Sequence, residues 1–546
     1  MSSKVFIYDT TLRDGSQAQD VSFSLQDKLR ITEKLDELGA QYVEGGFPGS
    51  NPKDSAYFAE VRKLNLKHAR IAAFGSTHHP SKTPATDSNL RLLLESKAPV
   101  VTLVGKTWGI HVTHVLRTTM PNNLKLITGS IRYMKPKVEE VVFDAEHFFD
   151  AYKNDPLYAM ECVEAALAGG ADWVTLCDTN GGSLPHEIHD ITARVKTRFG
   201  CRVGIHVHND GALAVANTLM AVQAGARQVQ GTINGLGERC GNADLTAIIP
   251  NLQIKMGYKC IPGAQLKKMR EVSLFVSEMA NLKPLLHQPF VGQAAFAHKG
   301  GLHVDAVLKN PVTYEHFSPD LVGNQRHIII SDLAGKASIQ AKAAEYGISL
   351  KSDDPVAKQV LTTIKELESQ GFAFEGADGS LEILIKKAKG HWKKFFDVLR
   401  ARVIVSVSND KEPQYSEAVV MVKTPDGDVH HAVAEGNGPV NAMDKAFRQA
   451  LAKYYPELKE VKLLDFKVRI LDETAGTSAK TRVLIESGDE EGNKWGTVGV
   501  SENVIEASWQ ALIDSIDYKL HKKSAGKTAD ARTTASAGSK RRMQIT

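Results

Sequence analysis

Two histidines separated by one residue are the first candidates for chemistry in this chain. His206 and His208 alternate with the apolar residues Val203, Ile205 and Val207. In a β-strand, residues two apart point to the same face, so both imidazoles would point the same way. Two imidazoles side by side can bind one metal ion. An isolated pair of this kind also occurs as two surface histidines, and the pair alone does not separate these interpretations.

A charged pair follows the first apolar run, in the segment Thr11-Leu12-Arg13-Asp14-Gly15. Asp14 can give a carboxylate oxygen to a divalent cation, and Arg13 can hold an anionic substrate through two parallel hydrogen bonds. Two histidines and one carboxylate suit a divalent cation that keeps positions open for substrate oxygens. A surface ion pair between Arg13 and Asp14 is the structural alternative.

A glycine-rich segment, residues 235–243, offers a fourth ligand. Asn242 is the best oxygen donor there, and Glu238 could bind the cation or a neighbouring ligand. Glycines let the backbone approach a bound molecule closely. The glycine spacing does not match a dinucleotide fingerprint, so a phosphate-binding loop is disfavoured.

Further polar residues follow other apolar runs, and each has a helix cap or a loop hydrogen bond as its alternative. Glu44, Asp144, Glu146 and Thr179 stand at such positions and would suit recognition of carbonyl or carboxylate groups. Later in the chain, His298 and His303 flank a Gly-Gly turn. Histidine can remove a proton near neutral pH, so either is a candidate base.

The elements that position these residues alternate regularly over the first 250 residues or so. Eight apolar runs alternate with eight amphipathic stretches, which predicts a (β/α)8 barrel, the TIM barrel. A doubly wound sheet is the rival fold, but no dinucleotide fingerprint follows the first strand. In a parallel barrel, ligands bind at the carboxyl ends of the strands, where the candidates that follow the eight apolar runs would meet. His298 and His303 lie outside the predicted barrel. The predicted strands are Val5–Thr10, Tyr42–Gly45, Ala69–Phe74, Val100–Val104, Glu140–Asp144, Trp173–Cys177, Val203–Val207 and Gln228–Thr232. The predicted helices are Leu25–Leu38, Pro52–Leu64, Ser88–Leu94, Asn122–Met134, Pro156–Ala168, Leu184–Val195, Ala212–Gln223 and Ala243–Lys255.

The rest of the 546-residue chain divides into three further parts. The barrel is predicted over residues 1–265, and helical linker subdomains over 266–400. Residues 401–521 contain two βββα units in series, which predicts an α+β regulatory domain that binds an effector or pairs subunits. The first unit begins with a strand predicted at Arg402–Ser408. Residues 522–546 carry seven Lys or Arg and one Asp and are predicted to be a disordered basic tail.

Composition restricts the class of protein. The formal net charge is +4, and no apolar run reaches the roughly 20 residues of a membrane span. We therefore expect no membrane or nucleic-acid partner for the folded part. Five scattered cysteines, and a first segment without the features of a signal peptide, predict a cytoplasmic protein with reduced thiols.

Three motifs resemble one enzyme family in order and spacing: Thr11-Leu12-Arg13-Asp14-Gly15, His206-Val207-His208-Asn209-Asp210, and Gly237-Glu238-Arg239-Cys240-Gly241-Asn242. The chain is similar to the 2-isopropylmalate, homocitrate and citramalate synthases, which are metal-dependent Claisen-condensing TIM barrels. The resemblance extends to about residue 521. The segments 45–52, 105–108 and 144–150 resemble most the longer citramalate synthases, although Phe47 stands where the family usually has tryptophan.

The resemblance implies roles for the candidates. Asp14, His206, His208 and Asn242 would bind a divalent metal, Mg²⁺ or Mn²⁺ with Zn²⁺ also possible. Arg13 would hold the 2-oxo acid and stabilise its alkoxide. Thr179 would contact the substrate carboxylate, and Glu146 would position acetyl-CoA or a water. His303 would reach a neighbouring subunit and assist proton transfer, with Tyr314 as a substrate-binding residue that could share this role and His298 as the alternative. Glu44, from its position after the second strand, is predicted to be a further substrate contact.

The activity implied is an acyl transfer from acetyl-CoA to pyruvate in isoleucine biosynthesis, with isoleucine as an effector of a homodimer. 2-Isopropylmalate or homocitrate synthesis is the nearest alternative, since these reactions differ in the 2-oxo acid. A metal-binding regulatory barrel without turnover is an alternative of another class.

Overall fold

The computed structural model describes residues 3–351, 354–406 and 415–541, and it divides the chain into two compact units. The first unit comprises Met1–Phe296 and Phe317–Arg326, and the second comprises Ala297–His316 and His327–Thr546. The four-part division expected from the sequence is finer than this and stays a prediction.

A closed barrel of eight parallel strands forms the centre of the first unit, as predicted. The strands pair in sequence order, and β1 closes the barrel against β8. They are β1 (Phe6–Asp9), β2 (Tyr42–Gly46), β3 (Arg70–Ser76), β4 (Val100–Lys106), β5 (Glu140–Glu146), β6 (Trp173–Asp178), β7 (Val203–Val207) and β8 (Gln228–Gly231).

Helices follow the barrel strands along the chain, and the last two of them come after β8. They are α1 (Leu25–Leu38), α2 (Pro52–Glu60), α3 (Ser88–Glu95), α4 (Met120–Met134), α5 (Phe148–Asn154), α6 (Pro156–Gly169), α7 (Pro185–Phe199), α8 (Ala214–Gln223), α9 (Leu245–Pro250) and α10 (Met269–Met279). The predicted bounds of α1 match the structure because both ends carry strong local signals. Ser24 and Asp27 form a capping box, and Gly39 ends the helix with a φ of 95°.

Helix α5 was absent from the predicted elements. The sequence predicts a strand followed by one long helix at 156–168. Asp155 and Pro156 clearly indicate the first residue of that helix. The structure inserts a seven-residue helix before it, which buries Phe148 and Phe149. His147 makes the sharp turn between β5 and α5 with a φ of 56°, a left-handed conformation that is unusual for a residue with a side chain.

The second unit begins with short elements and continues into the duplicated module. Its first elements are β9 (Ala297–His298), α11 (Gly301–Lys309), β10 (His327–Ile328), α12 (Lys336–Glu345), α13 (Pro355–Ser369) and α14 (Asp378–Ala388). The module is β11 (Asp397–Val405), β12 (Ser416–Lys423), β13 (Val429–Gly436), α15 (Pro439–Leu451), β14 (Lys462–Ile470), β15 (Thr481–Gly488), β16 (Lys494–Ser501) and α16 (Val504–Arg541).

The two βββα units are confirmed as antiparallel sheets, each followed by a helix. Ala418, Val420 and Val422 alternate with partly exposed residues along β12 and pack into the core beside α15. The strand predicted at Arg402–Ser408 begins earlier, at Asp397, and its last two predicted residues lie outside the described residues.

Helix α16 is described as far as Arg541, and residues 542–546 lie outside the described residues. The expectation of a disordered basic tail over residues 522–546 stays a prediction. Across the described ranges, no helix is long and apolar enough to cross a membrane.

Candidate active site and metal centre

Asp14, His206 and His208 meet at the carboxyl ends of β1 and β7. His206 Nε2 lies 3.2 Å from His208 Nε2 and 3.3 Å from Asp14 Oδ2, and His208 Nε2 lies 4.0 Å from that oxygen. All three side chains are buried. Ligands about 2.1 Å from a common cation are separated by about 3.0–3.4 Å. The two shorter distances, both from His206 Nε2, match this range, and the third is longer.

The protonation states suit a cation. Burial lowers the pKa of His206, and burial with the neighbouring His206 lowers the pKa of His208 to about 4. Both imidazoles are therefore neutral at pH 7 and keep a lone pair. Burial opposes ionisation of Asp14, but Arg13, the two histidines and a hydrogen bond from Asn242 together outweigh it, and the pKa of Asp14 falls below its ordinary value. The site therefore presents two neutral nitrogens and one carboxylate.

A chain of hydrogen bonds across the barrel sets the tautomer of His206. Gln230 Nε2, on β8, donates to Asp144 Oδ1 at 2.9 Å, which leaves Gln230 Oε1 to accept from His206 Nδ1 at 3.0 Å. With its proton on Nδ1, His206 directs the lone pair of Nε2 towards Asp14. Metal-binding histidines are commonly oriented in this way by a second polar group.

Asn242 stands beside His208, where the two residues form an isolated β-bridge. Its Nδ2 donates to the carbonyl of Leu236 at 3.2 Å, while its buried Oδ1 has no hydrogen-bond partner among the described residues. A side chain at Gly237 would collide with this amide, so glycine is needed there. The Asn242 amide also hydrogen-bonds to Asp14, so its buried, unpaired oxygen belongs to a side chain in contact with the cluster, which fits the predicted divalent metal.

Glu238, the other candidate ligand of the glycine-rich segment, is not buried like Asn242. Its side chain is 58% exposed and lies 3.8 Å from the guanidinium of Arg239, so the structure favours Asn242 over Glu238 as the oxygen donor of the glycine-rich segment. Arg239 in turn pairs with Asp210 at 2.8 Å and donates to the carbonyl of Thr179 at 2.7 Å. These contacts hold the segment against the ends of β6 and β7.

Arg13 is held on three sides. Its Nε donates to Glu44 Oε1 at 2.5 Å, one Nη lies 3.5 Å from Asp14 Oδ2, and its guanidinium carbon lies 3.8 Å from the centre of the Phe74 ring. Its side chain remains 15% exposed. Although burial works in the opposite direction, the charges of Asp14 and Glu44 raise the pKa of Arg13, which stays charged at any physiological pH. The free edge of the guanidinium can receive an anionic group.

Glu44, which the sequence predicts to be a substrate contact, lies inside the barrel and binds Arg13. Its side chain is fully buried, and it accepts hydrogen bonds from Arg13 and from the hydroxyl of Tyr8 at 2.7 Å. Tyr8 also bonds to Thr102 Oγ1 at 2.6 Å. Burial raises the pKa of Glu44, and the charge of Arg13 opposes this. Glu44 is therefore placed to position Arg13 from inside the barrel, and its contact with a substrate stays a prediction.

Glu146 and Thr179 lie at the ends of β5 and β6. Glu146 forms an ion pair with Lys106, the last residue of β4. Thr179 Oγ1 accepts a hydrogen bond from the backbone N–H of His147 at 2.9 Å. Both side chains are half-buried. The four neighbouring strand ends β4 to β7 thus carry polar side chains on the same end of the barrel.

His303 and Tyr314 belong to the second unit. Their rings stack with centres 4.2 Å apart, and both side chains are exposed. His298 instead lies with Nε2 3.3 Å from Glu315 Oε1 and is partly buried. Exposure favours His303 over His298 as a residue that could reach another subunit, and its role stays a prediction.

Sequence reasoning missed Tyr8, Thr102 and Gln230. A signal for the last was present, because Gln228 and Gln230 alternate with Val229 in a strand with no exposed residues. Two polar side chains on one face of a buried strand need hydrogen-bond partners. The pattern of Gln228 and Gln230 could therefore have indicated a polar barrel interior. The identity of the partners could not be read from the sequence.

Family comparisons agree with this geometry. The HMGL-like family model matches residues 4–276, the homocitrate synthase post-HMGL domain-like model matches residues 290–371, and the LeuA allosteric (dimerisation) domain model matches residues 375–532. The first match covers the barrel with the Asp14, His206 and His208 cluster. The last match covers the duplicated βββα module.

Individual relatives align over nearly their whole length. The chain is 55% identical to the (R)-citramalate synthase of Aquifex aeolicus, over 96% of this chain and 99% of the relative. It is 54% identical to the (R)-citramalate synthase of Geobacter sulfurreducens, over 95% and 98%. The 2-isopropylmalate synthase of Methanocaldococcus jannaschii is 31% identical, over 95% of each chain. With full-length similarity of this degree and the charged barrel mouth described above, the chain belongs to the (R)-citramalate synthase family.

Proposed function

We propose that this chain is an acyltransferase that condenses acetyl-CoA with pyruvate and water to form (R)-citramalate and CoA. The observation that carries the proposal is the 55% identity to an (R)-citramalate synthase over 96% of this chain. The barrel mouth supports it, because Arg13 is beside a set of metal ligands and offers an edge to an anionic 2-oxo acid.

Asp14, His206, His208 and Asn242 would hold the divalent cation of the reaction. Carboxylate and amide oxygens suit Mg²⁺ and Mn²⁺, whereas imidazoles also suit Zn²⁺. When bound, such a cation polarises a carbonyl group and accepts part of the charge that develops on its oxygen. The buried and unpaired Asn242 Oδ1 supports the inclusion of this residue in the ligand set.

Arg13 would bind the 2-oxo acid and stabilise the oxygen that becomes an alkoxide. Glu44, Asp14 and Phe74 hold the guanidinium in place before substrate arrives, so little reorganisation is needed in the transition state. A positioned charged donor of this kind is worth roughly 10²–10³ in rate. Thr179, after β6, would contact the substrate carboxylate.

Carbon–carbon bond formation requires removal of a proton from the methyl group of acetyl-CoA. His303 of a neighbouring subunit, with Tyr314 beside it, is proposed to accept this proton. The resulting carbon nucleophile attacks the ketone carbon of pyruvate, and the ketone oxygen is then protonated. Water hydrolyses the thioester, which releases CoA as the free thiol, and Glu146 would position acetyl-CoA or this water.

The second unit supports a dimer with regulation. Residues 375–532 match a domain described as allosteric and dimerising, so we propose a homodimer whose duplicated module binds isoleucine, the end product of the expected pathway. A cytoplasmic location accords with five cysteines that are free thiols.

Measurement of thiol release from acetyl-CoA tests the proposal. The purified full-length chain would be assayed with pyruvate, 2-oxoisovalerate and 2-oxoglutarate, before and after EDTA treatment, and the product stereochemistry determined. We expect fastest turnover with pyruvate, formation of the (R) product, and recovery of activity when Mg²⁺ or Mn²⁺ is restored. Faster turnover with 2-oxoisovalerate would instead identify a 2-isopropylmalate synthase, and full activity after complete metal removal would disprove the metal site.

A further inference from the structure

A second group of potential metal ligands lies at the barrel mouth, at the ends of β4 and β5. His111, Glu146 and His147 each offer one ligand atom, and these atoms lie within 4.8 Å of one another. We propose that these three residues form a second cation site, selective for a borderline transition metal such as Zn²⁺. Two imidazoles and one carboxylate with an open fourth position are a typical zinc ligand set.

His147 is held in an orientation that suits a ligand. Its ring Nδ1 lies 3.2 Å from Asp150 Oδ2, so that Nε2 keeps a lone pair when Nδ1 carries the proton. Asp150 Oδ2 also accepts from Asn180 Nδ2 at 3.0 Å. A carboxylate behind a histidine is the usual support of a metal-binding imidazole.

The backbone makes a sharp turn at His147. The residue adopts a left-handed φ of 56°, which is uncommon for a residue with a side chain, and its N–H donates to Thr179 Oγ1. The turn aims the His147 ring at His111, with ring centres 4.3 Å apart.

His111 approaches from the short π-helical turn that follows β4, residues 111–115. Its buried Nδ1 has no hydrogen-bond partner in the described part of the chain. Its ring stacks on the indole of Trp108, with centres 5.6 Å apart and an angle of 21° between the planes. An unpaired buried nitrogen is costly, and a bound cation would satisfy it.

Lys106 competes with a cation for Glu146, since the two side chains form an ion pair in this structure. Zinc binding would therefore separate Glu146 from Lys106. Because Glu146 is the residue proposed to position acetyl-CoA or water, Zn²⁺ should inhibit turnover even when Mg²⁺ saturates the first site. This consequence rests on the proposed function, whereas the binding of zinc does not.

Zinc stoichiometry distinguishes the two sites without an activity assay. Metal-free full-length protein would be dialysed against a buffered concentration of free Zn²⁺ and its metal content measured. We expect two equivalents for the wild type, one for His208→Ala, one for His111→Ala, and none for the double variant. The equivalent retained by His111→Ala at the first site also shows that this variant folds.

Two further variants sharpen the test. His114→Ala changes an exposed histidine of the same turn, whose ring bonds to Thr113 Oγ1, and it should keep two equivalents. Asp150→Asn leaves all three ligands in place and should weaken the second equivalent by roughly 10- to 100-fold. A single equivalent in the wild type, or two equivalents in folded His111→Ala, would overturn the proposal.

Discussion

Gln230 provides the sharpest test of how the barrel interior prepares the metal site. In the substitution Gln230→Leu, a residue of similar size removes both the acceptor of His206 Nδ1 and the donor to Asp144. His206 then loses the contact that keeps its proton on Nδ1, and its Nε2 lone pair is no longer fixed towards Asp14. The four proposed ligands themselves remain unchanged.

The expected magnitude follows from the hydrogen-bond chain. Removal of a group that orients a metal-binding histidine typically weakens metal affinity by roughly 10- to 100-fold. This range corresponds to about 1.4–2.7 kcal/mol of binding free energy. Two features favour the upper half of the range: His206 and Gln230 are both buried, so water cannot replace the lost acceptor.

Titration of metal-free protein with Mn²⁺ would measure the effect. Gln228→Leu is the matched control, because Gln228 lies on the same face of the same strand and is equally buried, yet its Oε1 bonds to Thr175 Oγ1 rather than to a histidine. We expect Gln230→Leu to raise the Kd for Mn²⁺ by at least 10-fold and Gln228→Leu by less than about 2-fold. Urea unfolding of both variants separates lost affinity from lost stability.

Equal affinity of Gln230→Leu and wild type would refute the reasoning, since the tautomer would then be set without Gln230. Equal weakening in both glutamine variants would also refute it, because the cause would be a general disturbance of β8. The hydrogen-bond chain from Asp144 to His206 is supported if only Gln230→Leu changes the affinity for Mn²⁺ and both variants have the same free energy of unfolding.

Three other predictions concern the charged groups of the barrel. Arg13→Lys should lower kcat/KM for pyruvate by roughly 10²–10³, because lysine cannot make two parallel contacts, and thiol release measures this. Glu44→Gln should keep metal affinity but raise the KM for pyruvate, since Arg13 loses a charged partner; an unchanged KM would argue against a positioning role. Burial and the charge of Glu44 raise the pKa of Asp144 to about 7, so the native state holds this proton more tightly than the unfolded chain. Stability of the metal-free protein should therefore fall as pH rises from 5 to 7, and Asp144→Asn should reduce the fall by up to about 3 kcal/mol in urea unfolding; an identical pH dependence in both proteins would contradict this.

Local patterns carried much of the fold prediction. Strand β7 was predicted with the bounds Val203–Val207 that the structure shows, because its apolar residues alternate with the histidines and Gly204. Helix α1 was predicted with equal accuracy, since its capping box and terminal glycine are local signals. Elements without such local signals were not predicted. Helix α5 follows a left-handed turn at His147, and a histidine in the sequence does not indicate such a turn.

The sequence by itself determined which residues share a face and an end of the barrel. Strand periodicity directs His206 and His208 to the same side, and the repeated strand–helix order brings Asp14 to the same end. Tertiary structure alone decided what each polar group bonds to. Glu44 turned out to hold Arg13, and Gln230 joins Asp144 to His206 although Asp144 and Gln230 are 86 residues apart. The physical reason is that side-chain direction follows from local backbone geometry, whereas hydrogen-bond partners in a closed barrel come from strands distant in sequence, and their distances are set only when the barrel closes.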